Sequence, residues 1–291
     1  MWLSRGAGLA GLTIALAVGA WWAAPTTAQT SPPAQTLPIE VTGVTFAEID
    51  DATGITRMEG SPLVVTRGRT VIKALRARYD RRTQVLTAEG AVEAVEQGVT
   101  IRADAAEYRL DDESVSARGN VRMTSVAQGA FAEQLPTTLL TPEVSGSLRT
   151  RRFVASGGVT IVRGAWTVSG RRGEYDDGTK AAVVTGEAHV RFGDGVMTAD
   201  VLIMFLDTET MRAEGSVQLR RGDLTGRAQR ADVSLKAQVA VFTGNARVDR
   251  GADRVTADVI ETTLDGQRIT ARGASRLVVT SPDPTATPPP R

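Results

Sequence analysis

Eight glycines recur along this chain at nearly one interval. Gly186, Gly215, Gly244 and Gly273 stand 29 residues apart, and Gly157, Gly119, Gly90 and Gly60 extend the series backwards at steps of 29, 38, 29 and 30. Each lies in a similar phrase, such as Val184-Thr-Gly-Glu-Ala-His-Val190, Ala213-Glu-Gly-Ser-Val217 and Phe242-Thr-Gly-Asn-Ala-Arg-Val248. Self-similarity of fixed period means that one small unit is stacked on copies of itself, because a single unit cannot bury its own apolar face. The repeat therefore limits the fold before any other property is considered.

Counting from the repeat glycine, positions −4, −2, +2 and +4 are mostly apolar, as in Met211, Ala213, Val217 and Leu219. Positions −1 and +3 are mostly polar, as in Glu214 and Gln218. Period-two alternation with one polar face predicts a half-buried strand, with the glycine on its inward side. An earlier segment of each unit is apolar at −18 and small at −16 (Met197 and Ala199, Val255 and Ala257). Its apolar parity then moves to −13 and −11 (Leu202 and Met204). A parity change inside one strand predicts a β-bulge. Turn chemistry falls near −8, at Asp111-Asp112, Asp177-Gly178, Asp207-Thr208 and Asp265-Gly266, and a second glycine follows at +7 or +8. Strand, turn, strand, turn in eight units predicts an all-β fold of about sixteen antiparallel strands, with no substantial helix after the first residues.

Residues 1–28 read as an export segment: Arg5, a charge-free apolar run over 6–24, and small residues at Thr26-Thr-Ala28. Either it is cleaved as a signal peptide, or residues 6–24 stay as an inner-membrane anchor; both readings place the remainder outside the cytoplasm. Residues 29–38 form a Pro/Thr linker, and 281–291, with five prolines in eleven residues, an extended disordered tail. The repeats divide into a first lobe over 39–126 and a second over 144–280. The extra residues of the long step, with Pro136 and Pro142, predict an insertion loop over 127–143.

The chemistry of catalysis is sparse. The chain has no Cys, which excludes disulfides, thiolate metal sites and Cys nucleophiles, and its one His, His189, stands at an outward position without a partner. Of the carboxylate pairs Asp50-Asp51, Asp111-Asp112 and Asp176-Asp177, two sit at predicted hairpin turns, where Asp is a turn former. With 34 basic and 33 acidic residues interspersed, no field is built to attract nucleic acid. Neither a catalytic residue, a metal site nor a cofactor is expected. What remains is the inward stripe of Val, Ala, Leu, Met and Ile, which either fills itself as a core or leaves a groove for acyl chains. A passive envelope scaffold is the competing reading. A parallel β-helix acting on polysaccharide is disfavoured by the Asp turns.

The phrases Val196-Met-Thr-Ala-Asp200 … Ala213-Glu-Gly-Ser-Val217, Val255-Thr-Ala-Asp258 … Ala271-Arg-Gly273 and Ile101-Arg-Ala-Asp104-Ala-Ala-Glu-Tyr108 … Ala117-Arg-Gly-Asn-Val121 resemble the OstA-like (LptA/LptC-type) family of periplasmic lipopolysaccharide-transport proteins. The similarity covers about residues 41–280; the Pro-rich tail departs from it. The resemblance implies a stacked antiparallel, V-shaped β-jellyroll, a non-enzymatic carrier or bridge that shields the acyl chains of lipopolysaccharide or a related envelope lipid, and a periplasmic location. It also implies edge-to-edge assembly with other OstA-like proteins or with further copies of this chain. The family offers no catalytic residue to carry over. By strand parity, the groove candidates are Val92, Val115, Val121, Met123, Phe153, Val159, Ile161, Val190, Met211, Val217, Leu219, Val248 and Ile269.

Overall fold

The computed structural model describes residues 38–126 and 135–280. The export segment 1–28, the linker up to residue 37, residues 127–134 of the insertion and the tail 281–291 lie outside the described residues. The rest is strand and turn, with no helix among the described residues. The strands in order are β1 (Glu40–Asp50), β2 (Ile55–Arg67), β3 (Thr70–Asp80), β4 (Val85–Glu96), β5 (Val99–Arg109), β6 (Ser114–Ser125), β7 (Thr137–Ser147), β8 (Arg152–Arg163) and β9 (Trp166–Asp176). They continue as β10 (Ala181–Phe192), β11 (Gly195–Phe205), β12 (Thr210–Arg221), β13 (Leu224–Ser234), β14 (Val239–Arg250), β15 (Asp253–Thr263), β16 (Ile269–Arg272) and β17 (Arg276–Val278).

Each strand pairs antiparallel with the next in the chain, giving one open sheet. Both β16 and β17 pair with β15 and flank Gly273, so the repeat glycine divides the sixteenth strand in two. Seventeen strands are thus eight units of two. Among the described strands, β1 at one end and β16 and β17 at the other are the edges of the sheet.

The expected bulge recurs along the sheet, but its extra residue lies in the second strand of the unit, which carries the repeat glycine, and not in the first, where the parity change placed it. Where β11 meets β12, Val201 opposes Glu214 and Thr198 opposes Gln218, so Gly215 and Ser216 together face a single residue, Asp200. Gly215 has φ +74 and Ser216 φ +48, and the pairs Gly90-Ala91, Gly119-Asn120, Gly186-Glu187 and Gly244-Asn245 share that conformation. A left-handed residue in a strand suits glycine, which has no Cβ to clash with its own backbone. This corrects the expected placement of the repeat glycine on the inward face. A side chain at 215 would run into the exposed Asp200 carboxylate, on the outside of the bend, because two consecutive left-handed residues break the strict alternation on which that expectation rested.

The bulges fold the sheet over. A strand of twelve residues extends about 40 Å, yet Arg67, beside the Gly68 turn, donates through Nη1 to the carbonyl of Leu110, beside an Asp turn, at 2.6 Å. Arg163 reaches Leu206 in the same way at 3.2 Å. Opposite ends of the strands can meet only if each strand turns back at its bulge. The sheet is therefore two leaves hinged at a row of bulges, with inward side chains of both leaves in one core cluster. This is the V-shaped β-jellyroll.

The insertion is shorter as a loop than expected. Residues 137–143 belong to β7, which pairs with β6 in the same manner as the other units, from Ser125↔Thr137 to Ser114↔Ser147. Pro142 does not stop the strand because it occupies the bulge, between Leu140 and Glu143, where no regular ladder bond is required. The sheet runs through this point without a break between lobes.

Candidate functional site: the interior seam and its mouth

The interior is built from the small and branched residues that the alternation points inward. Of the groove candidates, Val92, Val115, Val121, Met123, Phe153, Val159, Ile161, Val190, Met211, Val217, Leu219 and Val248 are buried in the core cluster, and Ile269 packs against it half-buried. They come from both leaves and from seven of the eight units, and they meet in one continuous apolar seam. Near the hinge the seam is lined by small residues, including Ala103, Ala199 and Ala257. Where a large ring enters, the facing position is bare: a side chain at Gly226 would collide with the Phe242 ring, and one at Gly146 with Phe153.

The mouth of the V lies opposite the hinge. Here the structure shows two features that the sequence reading passed over. The first is a row of leucines at −9, in the turns that lead into the second strand of the unit: Leu110, Leu148, Leu206, Leu235 and Leu264, all buried. Their amides extend the ladder into the turns, for example Leu206 N to Lys180 O at 2.9 Å and Leu264 N to Gln238 O at 2.8 Å. The second is a row of arginines at the other end of the strands. Besides Arg67 and Arg163, Arg221 donates from Nη1 to Gln238 Oε1 at 3.0 Å, and Arg250 from Nη1 to Gly266 O at 3.0 Å. These side chains strap one row of turns to the other across the mouth. Both rows were findable, since the leucines recur at −9 from the repeat glycine and the arginines at +6, or +7 in the first unit.

Three units depart from the leucine row, with Asp51, Arg81 and Asp177 at −9. Asp177 has its carboxylate in contact with Arg151 at 3.0 Å, Lys180 at 2.7 Å and the Tyr175 hydroxyl at 2.6 Å. Burial pushes the Asp177 carboxyl up, but Lys180, Tyr175 and Arg151 outweigh it and hold the group below the usual carboxylate range. Burial, then the Asp177 carboxylate, push the Tyr175 phenol up. This is a structural cluster that replaces an apolar contact by an ionic one.

Elsewhere the polar residues hold the fold. Asp50 Oδ1 accepts from the amides of Ala52 and Thr53, Asp112 Oδ1 from Ser114, and Asp176 Oδ1 from Gly178, so each carboxylate pair closes a turn. His189 is exposed on the outer face. Among the described residues no group of three His, Asp or Glu could hold a metal ion, and no helix is long and apolar enough to cross a membrane.

Two-strand repeats folded into facing leaves around an apolar seam, with both sheet edges open, define a β-jellyroll of the stacked type. The family described as LptA/(LptD N-terminal domain) LPS transport protein matches residues 71–210 and 167–268, and the chain belongs to it. A solved structure, that of LptH, the LptA homologous periplasmic component of the conserved lipopolysaccharide transport device from Pseudomonas aeruginosa, is similar to 40% of this chain over 95% of its own length. The identity is 15% and the TM-score 0.38. No curated protein sequence matches.

Proposed function

We propose that this chain is a non-enzymatic carrier in the periplasm, holding the acyl chains of lipopolysaccharide or a related envelope lipid between its two leaves on the way to the outer membrane. The observation that carries this reading is the continuity of the seam. It runs through the units without a charged side chain crossing it, and arginine straps join the two leaves at the mouth. Parting the leaves would expose an apolar trough, and each CH₂ of a chain laid in it contributes about 0.8 kcal/mol.

The open edges support assembly in a row. β1 pairs only with β2 among the described strands, and it exposes Phe46 and Ile49; at the other end, Leu277 and Val279 are exposed beside the short β16 and β17. Such edges accept a further strand from another OstA-like protein or from a second copy. Replacing Phe46 and Ile49 by Lys is expected to weaken association in sedimentation without lowering thermal stability.

One observation favours a passive scaffold instead: the seam is closed, with Val217 and Leu219 at 1% and 0% exposure. Native mass spectrometry of the protein released gently from an envelope fraction separates the two. Added mass matching a lipid, lost in Val217→Asp while the fold persists by circular dichroism, is the carrier outcome. A protein of bare mass that takes up neither lipid A nor phospholipid is the scaffold outcome.

A further inference from the structure

The mouth is not uniformly closed. Between the Gly turns that follow β8 and β10 and the turns that precede β12 and β14 lies a cavity of about 360 Å³. Its size is within the range of sites that hold small molecules, about 300–1,000 Å³. Two arginines line it, Arg163 and Arg221, with Trp166, Phe192 and Leu235 as apolar walls and Glu209 the one carboxylate. Phe192 and Leu235 also belong to the core cluster, so the cavity floor is continuous with the seam.

The two guanidinium groups are incompletely used. Arg163 donates to Thr137 Oγ1 at 3.2 Å and to Leu206 O at 3.2 Å, both neutral acceptors. Arg221 donates through Nε to Asp194 at 2.7 Å and through Nη1 to Gln238. An arginine has five N–H donors in a planar fork, so each keeps three beyond its partners among the described residues. Asp194 is 67% exposed, which leaves its pairing with Arg221 screened by solvent. Glu209 is exposed on the opposing row of turns. The position between these arginines in the repeat is held by Phe192, which gives an apolar surface flanked by cationic forks.

We propose that this cavity takes the phosphate-bearing headgroup of an amphiphile. Arg163 and Arg221 hold the phosphate oxygens, Trp166 and Phe192 cover the carbons next to them, and the chains run from there into the seam. The proposal rests on the carrier reading and adds to it the headgroup class and the point of entry. A phosphate oxygen is a stronger acceptor for an arginine than a carbonyl or an amide. Binding would therefore draw Arg163 from Leu206 and Arg221 from Gln238, releasing two straps where the chains must pass.

The test is calorimetric titration of the full chain with short-chain phosphatidic acid, the matching diacylglycerol and inorganic phosphate. Phosphatidic acid is expected to bind at least about tenfold more tightly than diacylglycerol, from charge-assisted hydrogen bonds of ordinary strength. The double variant Arg163→Gln/Arg221→Gln is expected to lose that preference while binding diacylglycerol as the unaltered protein does, which also shows that it folds. The Lys pair, retaining charge without the fork, is expected to fall between. Equal binding of both lipids by the unaltered protein overturns the headgroup site and leaves the carrier reading standing. Binding of neither lipid overturns both. Inorganic phosphate binding as tightly as phosphatidic acid overturns the amphiphile in favour of a free-anion site.

Discussion

The ring of Phe242 occupies the space that a side chain at Gly226 would need, one strand away in the same seam. Phe242 is fully buried and comes from the Asp-turn leaf, whereas Gly226 stands near the start of β13 on the other. The two leaves therefore fit by volume as well as by polarity. Gly226→Ala is expected to lower stability by about 1–3 kcal/mol through overpacking. Phe242→Leu in the same chain should recover part of it, read as the shift in urea midpoint for the single and double variants.

A similar exclusion acts on the outside of the hinge. Gly215 has a left-handed φ of +74, and a side chain there would meet Asp200. Gly215→Ala is expected to cost about 1–3 kcal/mol from backbone conformation and crowding together. Adding Asp200→Gly removes the crowding from that side chain but not the conformation at 215, so denaturant unfolding of the double variant should show partial recovery relative to Asp200→Gly alone. Full recovery would mean that φ carries no strain. The Thr-Ala-Asp phrase and the repeat glycine are thus two halves of one corner: Asp104 over Gly119, Asp200 over Gly215 and Asp258 over Gly273.

Leu206 tests the mouth. It is buried although it borders a turn, and Leu206→Ala is expected to cost about 2–5 kcal/mol, as for a leucine removed from any core. Asp207→Ala next to it, at an exposed position, is expected to change stability by no more than about 0.5 kcal/mol. Thermal unfolding of the two variants makes the comparison.

The unit that replaces this leucine by Asp177 should carry an acid-dependent contribution. Its folded pKa is depressed, so the stability it adds is present above the ordinary Asp value of about 3.9. That stability is lost as pH falls from there through the lower folded value. The melting temperature of the unaltered protein is expected to fall more between pH 5 and about 2 than that of Asp177→Asn. Parallel curves would remove Asp177 from the acid response.

Much of this architecture is legible in the residues because the bulge demands them. A left-handed residue at a fixed place in every unit after the first is supplied most cheaply by glycine, so the period is written in Gly90, Gly119, Gly186, Gly215 and Gly244. The side on which that glycine lies is not legible by alternation, since the bulge itself interrupts alternation. The leucines at −9 escaped notice for a related reason. A turn flanked by Asp207 and Thr208 reads as polar throughout, and only the facing leaf shows that Leu206 has somewhere to go. Arg163 gave no local sign of its role, because its acceptor lies 43 residues away on a different unit. Pro142 suggested a loop because a proline breaks a regular ladder; at a bulge there is no ladder bond to break.

The open sheet has a metric consequence. Successive strands are about 4.8 Å apart, so each two-strand unit adds about 10 Å, and sixteen strand positions span roughly 70 Å along the stacking direction. Every unit presents the same cross-section to its neighbours. Excising one whole unit, 29 residues from one repeat glycine to the next, would then shorten the molecule by one increment while keeping the corner, seam and mouth aligned. The number of repeats thus sets a distance, and reach can be lengthened or trimmed in evolution without redesigning the interior.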